Sequence, residues 1–269
     1  MSKINLIAEI GWNHMGDTSL AKEMVIAAKE SGADYAKFQT WSVINLINGP
    51  WDKDGRREIY KKAELSKKMH EELYEFCLKN NIKFLTSIFN INDYFKIENL
   101  KLDIIKIPSH EIYNLKLIEE LLPKYKTLLV STGAAKWEEI VNITKLKEFK
   151  KITFMHCVSS YPCSFSMLNF NKFNELKKFS NNNIGYSGHY DGIDDAKLAI
   201  NLDANYIEKH FTIDKNLPGR DNKFAILPDQ FKELSKYRND YIEMKKNYNL
   251  DVQNSEFDIF KNYRGRWGK

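Results

Sequence analysis

Residues 184–212 read IGYSGHYDGIDDAKLAINLDANYIEKHFT. Two short runs rich in β-branched and aromatic residues, Ile184–His189 and Tyr206–Thr212, bracket a longer segment of helical period. That is a strand, a helix and the next strand, the repeating unit of a parallel sheet with helical crossovers. The rhythm extends through the rest of the chain. Ile4–Gly11, Ala33–Thr40, Ile82–Phe89, Ile104–Ser109, Thr127–Gly133 and Ile152–Ser159 are the other strand candidates, each followed by a helical pattern. Trp137, Ile140, Val141 and Thr144 mark the apolar face of the fifth helix. Leu227, Phe231 and Leu234 mark that of the last. Eight such units in about 245 residues predict an α/β fold of the closed (β/α)8, or TIM barrel, type rather than a doubly wound open sheet. No G-x-G-x-x-G fingerprint follows the first strand, which further disfavours a dinucleotide-binding sheet.

The chain of 269 residues is 43% hydrophobic and 29% charged, which excludes wholesale disorder, collagen-like repeats and a disulfide scaffold. No stretch approaches ~18 apolar residues, so no membrane span is expected. The opening MSKINLIAEIGWNH has its apolar run broken by Glu9 and lacks a small-residue cleavage site, so no signal peptide is expected. Cys77, Cys157 and Cys163 are too scattered for a disulfide framework or a zinc site, which suits a reducing cytoplasm. A Cys157 nucleophile paired with His156 is disfavoured, because neighbouring strand residues point to opposite faces. Net charge is +5, but acids and bases alternate, as in REIYKKAELSKKMHEEL, the pattern of solvated helix faces. The one acid-free basic cluster is the tail, NYRGRWGK, so no nucleic-acid partner is expected. Mild positive charge does suit anionic small substrates.

One connection breaks the rhythm. Trp41 to about Leu65 separates the second strand from its helix, and connections beyond ~12–15 residues are commonly functional covers. In a barrel it lies on the catalytic face, so it is expected to help cover the site.

Barrel active sites form where the strands end. Five of the six histidines fall there: His14, His110, His156, His189 and His210, with only His70 in a helix. A polar rim that simply collects histidines is the plainer alternative. Glu9 stands in an otherwise apolar strand and needs a cation, a metal or a substrate as partner. Lys37 and Gln39 lie two apart and share a face. Lys106, in the apolar IIKI, is followed by Ser109 and Glu111. The two lysines suit phosphate and carboxylate, the neutralisation of Glu9, or a Schiff base. Strands five and seven end in STG and YSGH, small residues that allow close approach to a phosphate. His189 and His210, on adjacent strand ends, suit a divalent metal whose shell water, substrate or a carboxylate such as Glu9 would complete. The turn Leu217-Pro218-Gly219-Arg220-Asp221 puts Asp221 over the rim, there to hold sugar hydroxyls or to cap a turn.

Together these stretches form a pattern. AEIGWNHMGD, GADYAKFQT, FLTSIF, IKIPSHE, VSTGAAKWEEI, HCVSSYP, IGYSGH, IEKHFTIDKNLPGRD and LPDQFKEL follow one another across nearly all of residues 4–234. In this the sequence resembles the sialic acid synthase family, the N-acetylneuraminate synthases with their legionaminate and pseudaminate relatives. The resemblance implies a barrel that condenses phosphoenolpyruvate with an aldose, usually an N-acylated hexosamine. The products would be a 3-deoxy-2-ulosonic acid and phosphate, with a divalent metal, Mn2+ or Mg2+, required. By the same resemblance His189 and His210 match the metal-binding histidines. Lys37, Lys106, Ser109, Ser131 and Ser187 match positions that hold the phosphate and carboxylate of phosphoenolpyruvate. Glu9, Gln39, Tyr161 and Asp221 match positions near the sugar and metal, and Glu111 an acidic residue near the reacting carbons. Glu9 and Glu111 both suit the handling of the attacking water.

The sequence departs from the family pattern in places. Residues 1–250 account for the barrel and 251–269 for the start of a linker, with the family's antifreeze-like domain absent. That domain serves the family's dimers and contributes an arginine, so a homodimer and the acceptor sugar stay open, and Arg264 or Arg266 reads as a surface tail. Ile88 stands where proline is common, His110 where glycine is usual, and Gly188 where aspartate is frequent. His110 is expected to narrow the pocket or add a ligand. A non-catalytic ligand-binding barrel and a pyruvate aldolase acting through a lysine Schiff base are the alternatives.

Overall fold

The structure is a computed structural model and describes residues 3–180, 183–246 and 249–268. Eight parallel strands close on one another in sequence order. They are β1 (Asn5–Gly11), β2 (Tyr35–Thr40), β3 (Lys83–Ile88), β4 (Ile104–Ile107), β5 (Thr127–Ser131), β6 (Ile152–His156), β7 (Ile184–Gly188) and β8 (Tyr206–His210). Around them run α1 (Thr18–Glu30), α2 (Arg56–Ala63), α3 (Lys67–Lys79), α4 (Leu115–Leu121), α5 (Trp137–Ile143), α6 (Phe170–Phe179), α7 (Asp194–Asn201) and α8 (Pro228–Met244). The (β/α)8 barrel read from the sequence is the fold observed. Among the described residues no helix is long and apolar enough to cross a membrane.

Alternation along each strand splits the buried residues into two layers. The outer one, between strands and helices, is large and aliphatic, with Leu6, Ala8 and Ile10 of β1 among its members. The inner one is small: Ile7, Tyr35, Leu85, Leu129 and Met155 plug the barrel axis. Two residues further along the same strands the inward positions turn polar, with Glu9, Lys37, Ser87, Ser131 and Cys157. The register lines these up, with Glu9 opposite Lys37, Ser87 opposite Lys106, and Ser187 opposite Glu208. An apolar plug therefore underlies a charged floor, and that floor is the base of the mouth.

The strands end one to three residues earlier than the sequence reading placed most of them. Their last predicted residues turn out of the ladder to form the rim. Helical periods do not follow every strand either. Between β3 and β4 stands only a short 3-10 turn, Ile91–Lys96, whose Asp93 and Lys96 are buried. On α5 the face against the barrel is Ile140 and Ile143, while Trp137 sits 39% exposed at the helix start, edge-on to Phe179. The long 41–65 connection is not a bare loop. It contains α2 and two 3-10 turns, Val43–Asn45 and Pro50–Asp52. The tail has Arg264 and Arg266 exposed and lying over its own rings, Phe260, Tyr263 and Trp267.

Candidate active site

Four buried charges meet at the floor. Lys37 donates to Glu9, and Gln39 Nε2 donates to the other Glu9 oxygen at 2.8 Å. Lys106 donates to Glu208 Oε1 at 2.6 Å and to Ser187 Oγ at 3.2 Å, and Ser187 donates to the same Glu208 oxygen at 3.1 Å. Lys37 Nζ lies 3.6 Å from that oxygen too, so the two pairs form one network. All four charged side chains are at most 5% exposed. Burying ions this deeply is costly, and the pairing offsets the cost only while all four are present. Burial pushes the Glu9 carboxyl up to about 6, with Glu208 adding repulsion and Lys37 opposing both. Burial acts on Glu208 as well, but Lys106 and Lys37 outweigh it and hold the carboxyl below the ordinary range. Glu208 Oε2 has no hydrogen-bond partner among the described residues.

Above the floor stand His189 and His210, ring centroids 5.4 Å apart. Burial brings His189 down to about 4 and His210 well below its ordinary value, so both imidazoles are neutral near pH 7. His189 Nδ1 is anchored on the Val158 carbonyl at 2.7 Å. His210 Nδ1 is buried with no hydrogen-bond partner among the described residues, 3.6 Å from Asp221 Oδ2. Burial raises Asp221 to about 6, against the Trp12 indole, whose N–H donates to it at 2.8 Å. The Tyr161 ring packs on His189 with centroids 4.2 Å apart.

A third group lies near the end of β5. A Cβ on Gly133 would sit 2.4 Å from Ser159 Oγ, 2.6 Å from Cys157 Sγ and 2.8 Å from Ser109 Oγ. Only glycine leaves this small polar cradle open. Ser131 Oγ, two residues earlier, is buried and has no partner among the described residues.

The tertiary structure thus gathers Glu9, Lys37, Gln39, Lys106 and Ser187 into one network and places His189, His210, Tyr161 and Asp221 above it. Ser109 sits in the cradle. Glu111, in the turn after β4, is half-buried and raised by burial; its side-chain partner is Asn114 rather than a floor lysine. The histidine clustering at strand ends dissolves in part. His156 turns outward, its Nε2 bonded to the Leu168 carbonyl at 2.8 Å and its ring against Phe173. His14 packs on Phe38 of the outer core, and Gly16 N donates to its Nδ1. His110 is exposed on the rim, its ring 5.0 Å from that of Phe89. Sequence reasoning missed Glu208, although its spacing of two from His210 puts both on the inner face. It also set Cys157 aside, and the structure turns that thiol inward, 2.9 Å from Ser109 Oγ.

Two neutral imidazoles, one anchored through its second nitrogen and the other orphaned beside a carboxylate, are a donor set that fits a divalent ion. Among the described residues no group of three or more His, Cys, Asp or Glu side chains is close enough to hold one. An ion held by His189 and His210 would keep open positions for water or substrate oxygens.

A family model described as the NeuB family matches residues 24–248. The chain belongs to the NeuB family. This NeuB-family chain is 36% identical over 250 residues to the N,N'-diacetyllegionaminic acid synthase of Campylobacter jejuni, covering 87% of this chain and 75% of that one. It is 32% identical to the pseudaminic acid synthase of Helicobacter pylori, covering 85% and 72%. Among solved structures, the N-acetylneuraminic acid synthetase of Leptospira borgpetersenii, in complex with citrate, superposes with a TM-score of 0.85 at 30% identity, covering 97% and 93%. The NeuB-family relatives named here are synthases of sialic-acid-type sugar acids.

Proposed function

We propose that this chain is a phosphoenolpyruvate-dependent synthase that joins the three-carbon donor to an aldose, giving a 3-deoxy-2-ulosonic acid and inorganic phosphate. One observation carries the reading: two buried ammonium groups and two neutral imidazoles share a single barrel mouth. Lys37 and Lys106 counter the donor's carboxylate and phosphate, with Ser109, Ser131 and Ser187 supplying hydroxyl donors. Fixed in advance and shielded from water, they stabilise charge at little reorganisation cost. His189 and His210 would hold a divalent ion, Mn2+ or Mg2+, which when bound supplies Lewis-acid polarisation of the acceptor aldehyde. The enol carbon of the donor forms the new carbon–carbon bond at the acceptor's carbonyl carbon, and the acceptor oxygen takes one of the two protons that the added water brings, the other leaving with the phosphate. Water adds at the carbon bearing phosphate, and the carbon–oxygen bond to phosphate breaks. Glu9 has both oxygens engaged by Lys37 and Gln39, so the water's proton falls to Glu111, whose raised pKa suits a general base. Tyr161 and Asp221 line the acceptor side. A Schiff-base aldolase needs a neutral amine, and both lysines are instead ion-paired.

The test is phosphate release from phosphoenolpyruvate with Mn2+ and a panel of aldoses, N-acylhexosamines included. Release with at least one sugar is expected. Bound Mn2+ without release from any sugar would favour a ligand-binding barrel, and borohydride trapping with pyruvate would reveal an aldolase.

A further inference from the structure

The 41–65 segment is fastened at both ends. Glu64, just past α2, accepts from Val43 N at 2.9 Å and pairs with Lys96 at 2.8 Å, and Lys96 also donates to the Trp41 carbonyl at 2.8 Å. Ser42 is held by Asp93 of the same 3-10 turn. On the other side the Lys62 carbonyl packs so tightly on Gly16 that a Cβ there would sit 2.1 Å from it. The segment is a wall on the rim, and Tyr60 of α2 faces the mouth's two indoles. Its ring stands edge-on to Trp12 at 5.6 Å and 62°, and edge-on to Trp41 at 6.0 Å and 69°.

An indole has one N–H and no acceptor, so fixing its ring fixes the direction of its single donor. Trp12 Nε1 donates to Asp221 Oδ2 at 2.8 Å, beside His210. Trp41 Nε1 donates to Gln39 Oε1 at 3.4 Å, which leaves the Gln39 amide nitrogen to donate to Glu9. One tyrosine therefore touches two rings that reach opposite sides of the mouth, the histidine side and the lysine side.

We propose that Tyr60 is a positioning residue that orients Asp221 and Gln39 through the indole N–H groups of Trp12 and Trp41, making the 41–65 wall part of the acceptor side of the site. The inference rests on the reading above, in which the acceptor and the ion meet beside Asp221. Trp12→Phe keeps a smaller aromatic ring against Tyr60 and removes the donor; Tyr60→Phe keeps the ring edges; Tyr60→Ala removes them. Mn2+ affinity is measured by titration calorimetry without substrates, and KM for phosphoenolpyruvate and for the best aldose by phosphate release. Trp12→Phe is expected to weaken Mn2+ binding about tenfold, as loss of an outer partner of a metal site does. Tyr60→Ala should weaken Mn2+ binding and raise the aldose KM, with a smaller rise in the phosphoenolpyruvate KM through Gln39 and Glu9, and Tyr60→Phe should restore the parent values. Circular dichroism checks each fold. If Tyr60→Ala unfolds, Tyr60→Leu, which keeps bulk but removes the aromatic edges against Trp12 and Trp41, takes its place. Wild-type Mn2+ affinity and aldose KM in a folded Tyr60 variant lacking the ring, or in Trp12→Phe, would overturn the proposal. A parent protein that neither binds Mn2+ nor releases phosphate would overturn the underlying reading instead.

Discussion

Glu208→Gln is the sharpest test of the charged floor. The substitution keeps the shape, and Ser187 retains an oxygen to donate to, but one of four buried charges disappears. Lys37 still has Glu9, whereas Lys106 loses its ion-pair partner at 2.6 Å. Removing one member of a buried pair costs about 3–5 kcal/mol, because the remaining ion stays desolvated and uncompensated. For a domain of this size each kcal/mol moves the melting temperature by about 2–4 °C, so a fall of roughly 6–20 °C is expected. Scanning calorimetry at neutral pH measures it. The anionic donor should then offset the unpaired ammonium, so phosphoenolpyruvate is expected to raise the variant's melting temperature more than the parent's. A fall below about 2 °C, less than a single kcal/mol, would refute the buried network. A deep fall without the larger rescue would leave the network standing but remove the donor from it.

Three further outcomes follow from the geometry. His189→Ala should abolish Mn2+-dependent phosphate release while melting and circular dichroism stay close to the parent; near-normal turnover would remove the metal assignment. Gly133→Ala should fill the cradle of Ser109, Cys157 and Ser159, weakening phosphoenolpyruvate binding at least about tenfold by calorimetry, or 1.4 kcal/mol; unchanged affinity would place the donor elsewhere. The third outcome concerns pH. Burial holds His14, His70, His156 and His189 at about 4, below the ordinary 6.5. Their folded pKa values are depressed, so the unfolded chain binds more protons between these values. Stability is then full above about 6.5 and falls as pH drops toward 4, by up to roughly 3 kcal/mol per histidine. Glu9 and Asp221, raised to about 6 from 4.5 and 3.8, work the opposite way below about pH 6, but they are outnumbered. Melting curves from neutral pH to pH 4 should show the loss, and His70→Gln should make it shallower; a flat profile would contradict neutral burial.

Strand alternation was legible because its period is local. Residues two apart share a face whatever the rest of the chain does, so Glu9, Lys37, Gln39, Lys106 and His210 could be placed at the mouth once a barrel was inferred. The same rule shows that His156 and Cys157 face opposite ways, yet cannot say which faces in; packing of His156 against Phe173 decided that. Beyond the strand ends the period stops, and contacts take over. His14 leaves the mouth for this reason, packing on Phe38.

From its residues alone the chain determined the eightfold strand–helix rhythm, the polar residues at its strand ends, and the motifs of its family. Only the tertiary structure could decide which charges pair. The Lys106–Glu208 ion pair and the Trp12–Asp221 hydrogen bond join residues 102 and 209 positions apart, and such partners are chosen by closure of the ring and exclusion of water, neither of which a local pattern encodes.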